Sequence, residues 1–338
     1  MAAPSRPTTD EQTPVLEIEE LHVTFRSRRR DVRAVRGVSL KVQRGEVLGI
    51  VGESGCGKST TALAVTRLLP TTAEIVATRI RVAGVDLTSP SVRDLTKIRG
   101  AKVGMIFQDP TSSLNPSMTI GDQIAEPLRL HAGLGRAEAA RAAAELLGRV
   151  GIADAQQRVG DYPHQLSGGQ RQRVMIAIAV ACTPDLILAD EATTALDVTV
   201  QAEILDLLRG LQRDTGTALV FVSHDLGVVG DFADRVAVMY AGQIVELRDV
   251  RDLLSRPRHP YTAALLECAP RIGTARRLPT PILGGPPDLG RPVVGCAFRA
   301  RCARVVERCA TDDPGPELER IGAACWNPVS SVSQGSAS

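Results

Sequence analysis

Apolar positions along this chain follow two periods, and the switches between them mark its elements. From 15 to 25 they fall on Val15, Leu16, Ile18, Leu21, Val23 and Phe25, close enough to alternation for a half-buried strand. A second strand is predicted over 38–42, and Arg44-Gly45-Glu46 is a turn. Val47-Leu48-Gly49-Ile50-Val51 is continuously apolar, the form of a parallel strand covered on both faces. It runs through a glycine-rich loop into a helix predicted over 60–69. A short strand follows within 101–107 and ends at Gln108. Residues 136–150 are rich in Ala, Glu and Arg and read as helix, as do 166–181. Strands at 186–189, 218–222 and 235–240 then alternate with helices at 199–214 and after His224. That alternation predicts an α/β fold around a parallel sheet.

Past residue 257 the texture changes. His259-Pro260-Tyr261-Thr262 opens a short helix to 266, and 270–292 is too rich in Pro, Gly and Arg for one regular element. Residues 295–327 carry four cysteines and few large apolar side chains: Phe298, Val305, Val306, Leu318, Ile321 and Trp326. Ordering such a segment costs on the order of 1.5 kcal/mol per residue, so it needs a metal staple or a surface to dock on. The first 13 residues are polar and read as a disordered leader, without the apolar stretch of a signal peptide. Residues 330–338 read as a polar tail.

Composition narrows the class. At 43% hydrophobic and 23% charged the chain reads as an ordinary soluble protein. No apolar run approaches the roughly 20 residues needed to span a bilayer. A net charge of +2 gives no reason to expect a nucleic-acid partner. Basic residues are almost all arginine, the lysines being Lys41, Lys58, Lys97 and Lys102. The run Arg28-Arg29-Arg30 reads as a solvated turn between strands.

Three motifs carry chemistry. Gly52-Glu53-Ser54-Gly55-Cys56-Gly57-Lys58-Ser59-Thr60 fits the phosphate-binding pattern G-x-x-x-x-G-K-[ST] in its required strand–loop–helix setting. Glycines let backbone N–H groups converge on phosphate oxygens, and the helix directs its positive end to the same place. Lys58 is then placed to neutralise the β/γ-phosphates, Ser59 to ligate Mg²⁺ and Thr60 to steady the α-phosphate side. Leu186-Ile187-Leu188-Ala189-Asp190-Glu191 is a buried strand ending in two carboxylates. Asp190 is expected to hold Mg²⁺ through water, and Glu191 to orient or deprotonate the attacking water. Leu166-Ser167-Gly168-Gly169-Gln170 is a second anion-binding nest at a helix start, far along the chain from the first. His224 ends another strand, on the carboxyl edge of the same sheet.

In this order the three motifs resemble the ATPase subunits of ABC transporters, and the likeness extends over nearly the whole chain. It implies a P-loop NTPase core with an antiparallel β subdomain and a helical subdomain at about 110–182, together spanning 14–265, and a small cysteine-bearing extension over 266–329. It further implies roles for single residues. His224 matches the switch histidine, Gln108 the glutamine that senses metal and water, Asp197 of Ala195-Leu196-Asp197 the subunit-crossing aspartate, and Phe25 the aromatic that stacks on adenine. Thr194 stands where many members have Ser. In the family the Ser167–Gln170 motif closes over nucleotide held by another subunit, so a dimer with two composite sites is implied, with ATP binding driving closure and hydrolysis permitting opening.

Cys296, Cys302, Cys309 and Cys325 follow C-x5-C-x6-C-x15-C. Their thiolates suit tetrahedral Zn²⁺ or a [4Fe–4S] cluster, and the absence of tight C-x2-4-C pairs favours the cluster. The resemblance agrees. His259-Pro260-Tyr261-Thr262, the 281–287 linker, Gly295-Cys296 and Arg301-Cys302 look like the extension of dipeptide/oligopeptide importer ATPases, which carries an iron–sulfur site. Nickel-peptide and glutathione importers share that branch. The expectation is thus a peripheral ATPase on the cytoplasmic face of the cell membrane, with ATP, Mg²⁺ and a [4Fe–4S] cluster. Its expected partners are a related but distinct ATPase subunit, two transmembrane permeases and, through the complex, an external solute-binding protein. The permeases are expected to dock near Gln108 and 112–130. A soluble ABC ATPase of repair or translation is a rival reading. It is disfavoured by the single cassette and the lack of a long heptad run.

Overall fold

The computed structural model describes residues 13–193, 197–268, 281–315 and 317–329. The leader to residue 12, Thr194-Ala195-Leu196, much of the Pro/Gly/Arg-rich stretch and the polar tail lie outside the described residues.

Among the described residues the strands are β1 (Leu16–Phe25), β2 (Val32–Val42), β3 (Val47–Val51), β4 (Ala73–Val76), β5 (Arg79–Val82), β6 (Val85–Asp86), β7 (Val103–Ile106), β8 (Leu186–Asp190), β9 (Ala218–Ser223), β10 (Arg235–Tyr240) and β11 (Gln243–Asp249). The helices begin with α1 (Lys58–Val65), α2 (Val92–Ile98), α3 (Pro110–Ser113), α4 (Ile120–His131), α5 (Arg136–Arg149) and α6 (Ala155–Arg158). They continue with α7 (Gly168–Val180), α8 (Val198–Thr215), α9 (Leu226–Phe232), α10 (Val250–Ser255), α11 (Pro260–Cys268) and α12 (Glu317–Ile321).

The larger sheet has the order β11-β10-β3-β9-β8-β7. Its strands β10, β3, β9, β8 and β7 are parallel, while β11 is an antiparallel edge. The sheet is therefore mixed, not purely parallel as the alternation predicts. A tight turn at Ala241-Gly242 sends the chain straight back along β10, which no sequence period announces.

This sheet divides two cores. Along β3, Val47 and Val51 face one cluster, while Leu48 and Ile50 face the other. Strand β9 does the same, with Leu219 and Phe221 opposed to Val220 and Val222. Both faces are dry, which is why these strands read as unbroken apolar runs. One cover is an antiparallel sheet, β2-β1-β5-β6 with β4 also on β1, packed with α1. The other cover is helical and includes α4, α5 and α7, the helices of the expected 110–182 region.

The C-terminal residues join that second core. Cys296, Phe298 and Cys309 are buried within it, and Gly322 to Ala324 add a short stretch to the free edge of β11. Leu247 N–H donates to Gly322 O at 3.0 Å, and Ala324 N–H to Val245 O at 2.8 Å. The segment that lacks a core of its own thus uses the ATPase core and a sheet edge. Arg28 and Arg29 are exposed on the loop between β1 and β2, and Arg30 pairs with Asp288.

His259, fully buried beside this seam, accepts the Tyr261 N–H on Nδ1 at 3.0 Å, and its own N–H donates to Glu246 Oε2 at 2.8 Å. Burial pushes the imidazole down to about 3 from 6.5. Between those values the unfolded chain binds the extra proton, so stability falls as pH drops through the window, by about 1.4 kcal/mol per pH unit for one proton. His259→Asn, whose side chain can accept the same N–H, is expected to flatten the stability slope below about pH 6.5 by roughly one proton. Denaturant melts of both chains across that range measure it, and an unchanged slope would remove His259 as the source.

Candidate functional site

The glycine loop leaves β3 and enters α1 with Gly57 as N-cap, its φ at 106° in the left-handed region. A Cβ there would lie 2.6 Å from Ala34 O, so only glycine lets the loop curl against the neighbouring strand. Ser54 and Gly55 are exposed, whereas Gly52, Cys56 and Lys58 are buried. Lys58 Nζ folds back over the loop, donating to Gly52 O at 2.8 Å and Glu53 O at 3.1 Å. Its ammonium is therefore held by carbonyls at the mouth of the nest, where phosphate oxygens are the stronger acceptors.

Ser59 and Asp190 meet across the sheet. Ser59 Oγ donates to Asp190 Oδ1 at 2.7 Å. Burial pushes the Asp190 carboxyl up, with the Ser59 hydrogen bond pulling it down and Glu191 pushing it further up. A dry carboxylate beside a hydroxyl is a donor set that suits a hard divalent cation. These residues, with Gln108 near by, are the ones that would hold Mg²⁺. When bound, that ion neutralises charge on the outer phosphates.

Glu191 is gripped from two sides. Gln108 Nε2 donates to its Oε2 at 2.9 Å, and His224 Nδ1 lies 3.7 Å from the same oxygen. Three segments that follow β7, β8 and β9 thus converge on one carboxylate at the carboxyl edge of the sheet. Glu191 also has φ at 46°, in the left-handed region, a conformation that costs a non-glycine residue energy and recurs at active sites. Its N–H donates to Val222 O at 3.0 Å, which helps to hold it there. This strain has no signature in the sequence.

The second nest is built by capping. Ser167 Oγ accepts the Gln170 N–H at 3.3 Å, and Gln170 Oε1 accepts the Ser167 N–H at 3.0 Å. The helix start predicted at Leu166 moves to Gly168 because Ser167 takes the cap. Ser167 and Gly168 are exposed, and Gly169 and Gln170 are half-buried. On the far side of α7, buried Gln172 donates Nε2 to Ala192 O at 2.6 Å, tying the nest's helix to the residue after Glu191. That link is a positioning contact which the motif reading missed.

Asp197 is exposed and caps α8, its Oδ1 accepting from the N–H groups of Thr199 and Val200 at 3.1 and 3.0 Å. Phe25 ends β1 half-buried against the second core. Thr60 is half-buried in the first turn of α1.

The tail cysteines share one neighbourhood. Cys296 N–H donates to Cys309 O at 2.9 Å, and Cys302 Sγ accepts the Arg304 N–H at 3.3 Å. Burial pushes the Cys325 thiol up to about 11, with Cys296, Cys302 and Cys309 adding to the rise. Among the described residues no three His, Cys, Asp or Glu converge closely enough to hold a single metal ion. No described helix is long and apolar enough to cross a membrane.

Comparison with known proteins matches residues 35–194 to the ABC transporter family and residues 245–309 to the C-terminal region of oligopeptide/dipeptide transporters. The chain is 49% identical over 308 residues to a putative peptide import ATP-binding protein of Brucella abortus, covering 88% of this chain and 91% of that protein. It is 45% identical over 315 residues to the dipeptide transport ATP-binding protein DppD of Bacillus subtilis, covering 92% and 94%. Among solved structures, the dimeric bacterial ABC transporter cassette MJ0796 superposes with a TM-score of 0.62 at 30% identity, covering 70% of this chain and 99% of that one.

Proposed function

The chain belongs to the family of ABC transporter ATP-binding subunits, and on that premise we propose that it hydrolyses ATP to energise uptake of di- and oligopeptides. The observation that carries the peptide reading is the tail. The match to the oligopeptide/dipeptide C-terminal region coincides with a segment that is built into the ATPase core. In the proposed roles, Lys58 holds the phosphates, and Ser59 and Asp190 hold Mg²⁺. Glu191 orients and deprotonates water, with Gln108 and His224 positioning it. Phosphoryl transfer asks for little beyond such placement and charge neutralisation.

Ser167 and Gly169 serve nucleotide held by a partner ATPase subunit, and Asp197 lies at that junction. Two permeases provide the membrane path, so the chain works peripherally at the cytoplasmic face. The deciding experiment is reconstitution with its permeases and binding protein in vesicles. Peptide-loaded binding protein is expected to stimulate ATP hydrolysis, whereas stimulation only by a nickel complex or glutathione would reassign the cargo.

Cys296, Cys302, Cys309 and Cys325 are proposed to ligate a [4Fe–4S] cluster of structural or regulatory role. Spacing and a shared, mostly buried neighbourhood support this. Anaerobically purified protein is expected to be brown with about four irons per chain, and Cys302→Ser to lose the colour. Colourless anaerobic protein holding one zinc would overturn the cluster.

A further inference from the structure

The phosphate loop contains an acid. Glu53 directly follows Gly52, inside a nest whose purpose is to collect negative charge. A free carboxylate at that position repels every phosphate that approaches. Its neutraliser comes from the other end of the chain. Arg301 grips Glu53 with a two-pronged fork, NH1 to Oε2 and NH2 to Oε1, both at 2.9 Å.

The fork is fixed in place. Arg301 Nε donates to Leu283 O at 3.1 Å, NH2 to Ile282 O at 3.1 Å and NH1 to the Tyr240 hydroxyl at 3.3 Å. The guanidinium's donor capacity is thereby spent in a single geometry. The side chain is 5% exposed, against 28% for Glu53, and the guanidinium lies 5.7 Å from the Tyr240 ring centroid and 5.9 Å from that of Phe298. Glu53 is also held through its backbone, its N–H donating to the Tyr261 hydroxyl at 3.0 Å. Tyr261 is itself wedged between Tyr240 and Phe298, with ring centroids at 4.7 and 5.3 Å. Arg301, Phe298, Ile282 and Leu283 all belong to the C-terminal extension, and Tyr261 to the helix before it.

We propose that Arg301 is a positioning residue for the nucleotide site: by neutralising Glu53 it sets the phosphate loop to accept ATP, so that nucleotide affinity depends on the docked C-terminal extension. The inference rests on the reading of that loop as an ATP site. It gives a use to the His259-Pro260-Tyr261 and Arg301-Cys302 segments, which the hydrolysis chemistry leaves idle. Arg301 immediately precedes Cys302, so disorder in the cysteine-bearing segment reaches the phosphate loop through one side chain.

The test is the affinity of the full-length chain for Mg-ATP, by fluorescence or calorimetry, in a charge-swap set. Binding by the unsubstituted chain is the control, and its absence would defeat the ATP-site reading, a separate matter from this inference. Arg301→Gln, which leaves Glu53 unpaired beside the phosphates, is expected to weaken ATP binding roughly tenfold. The double variant Glu53→Gln/Arg301→Gln is expected to return to within about twofold of the control, because the repelling charge has gone as well. Arg301→Lys keeps the charge and loses the fork, so it is expected to fall between. It also serves if Arg301→Gln does not fold, and affinity equal to the control in Arg301→Lys then counts against the fork. Undiminished affinity in Arg301→Gln overturns the proposal. So does a double variant as weak as Arg301→Gln alone, since a merely structural role predicts no rescue.

Discussion

Replacing Glu191 with Gln is expected to lower ATP turnover by roughly 10²–10⁴-fold while leaving Mg-ATP binding intact. The amide keeps the shape and can still meet Gln108 and His224, but it cannot accept a proton from water. Lys58, and the Ser59–Asp190 pair at 2.7 Å, are untouched by the change, so the nucleotide should still be held. Single-turnover measurement in the assembled transporter separates the two effects. Turnover close to that of the unsubstituted protein would remove Glu191 as the base and leave His224, 3.7 Å from it, as the next candidate.

Ser167→Arg should act at a distance from its own nucleotide. Ser167 is exposed at the start of α7, where its hydroxyl caps the Gln170 N–H. In the proposed dimer that helix start faces phosphate bound to the partner subunit. Loss of such a donor set costs roughly 10²-fold in rate at comparable sites. Hydrolysis at the partner's phosphate loop is therefore expected to fall by about that factor, while nucleotide affinity of the isolated chain stays as before. The lost cap also costs about 1 kcal/mol of stability, so Ser167→Thr, which keeps a capping hydroxyl, is the matched control. Full hydrolysis by a Ser167→Arg transporter, or full activity from a proven monomer, would rule out the composite site.

Much of the proposed hydrolytic constellation is legible in the chain because it is local. Lys58 and Ser59 follow the glycines directly, and Asp190 and Glu191 end an apolar run. A strand buried on both faces must be apolar throughout, so its polar end stands out. Gln108 and His224 follow two further strands of the same sheet, and parallel strands deliver their carboxyl ends to one edge. Less legible were contacts with no period and no motif. The return of β11, the cap at Ser167 in place of a helical Leu166, and the tie from Gln172 to Ala192 each depend on what lies across a loop or a helix.

By itself, the sequence marked which segments bury both faces, where the glycine-rich loop and the Ser167 helix start fall, which acids end strands, and that 295–327 carries few large apolar side chains of its own. Each is a property of neighbours within a few residues, set by side-chain polarity and by what glycine allows the backbone to do. Only the tertiary structure decided where that last segment finds its partner. It adds to the edge of β11 and sends Arg301 to Glu53, a pairing across 248 positions of chain. Charge and burial at such a range are set by packing, and the same packing holds Glu191 at φ 46° at the carboxyl edge of the sheet. Local pattern carries no record of either, because the energy that sustains them comes from elements far apart in the chain.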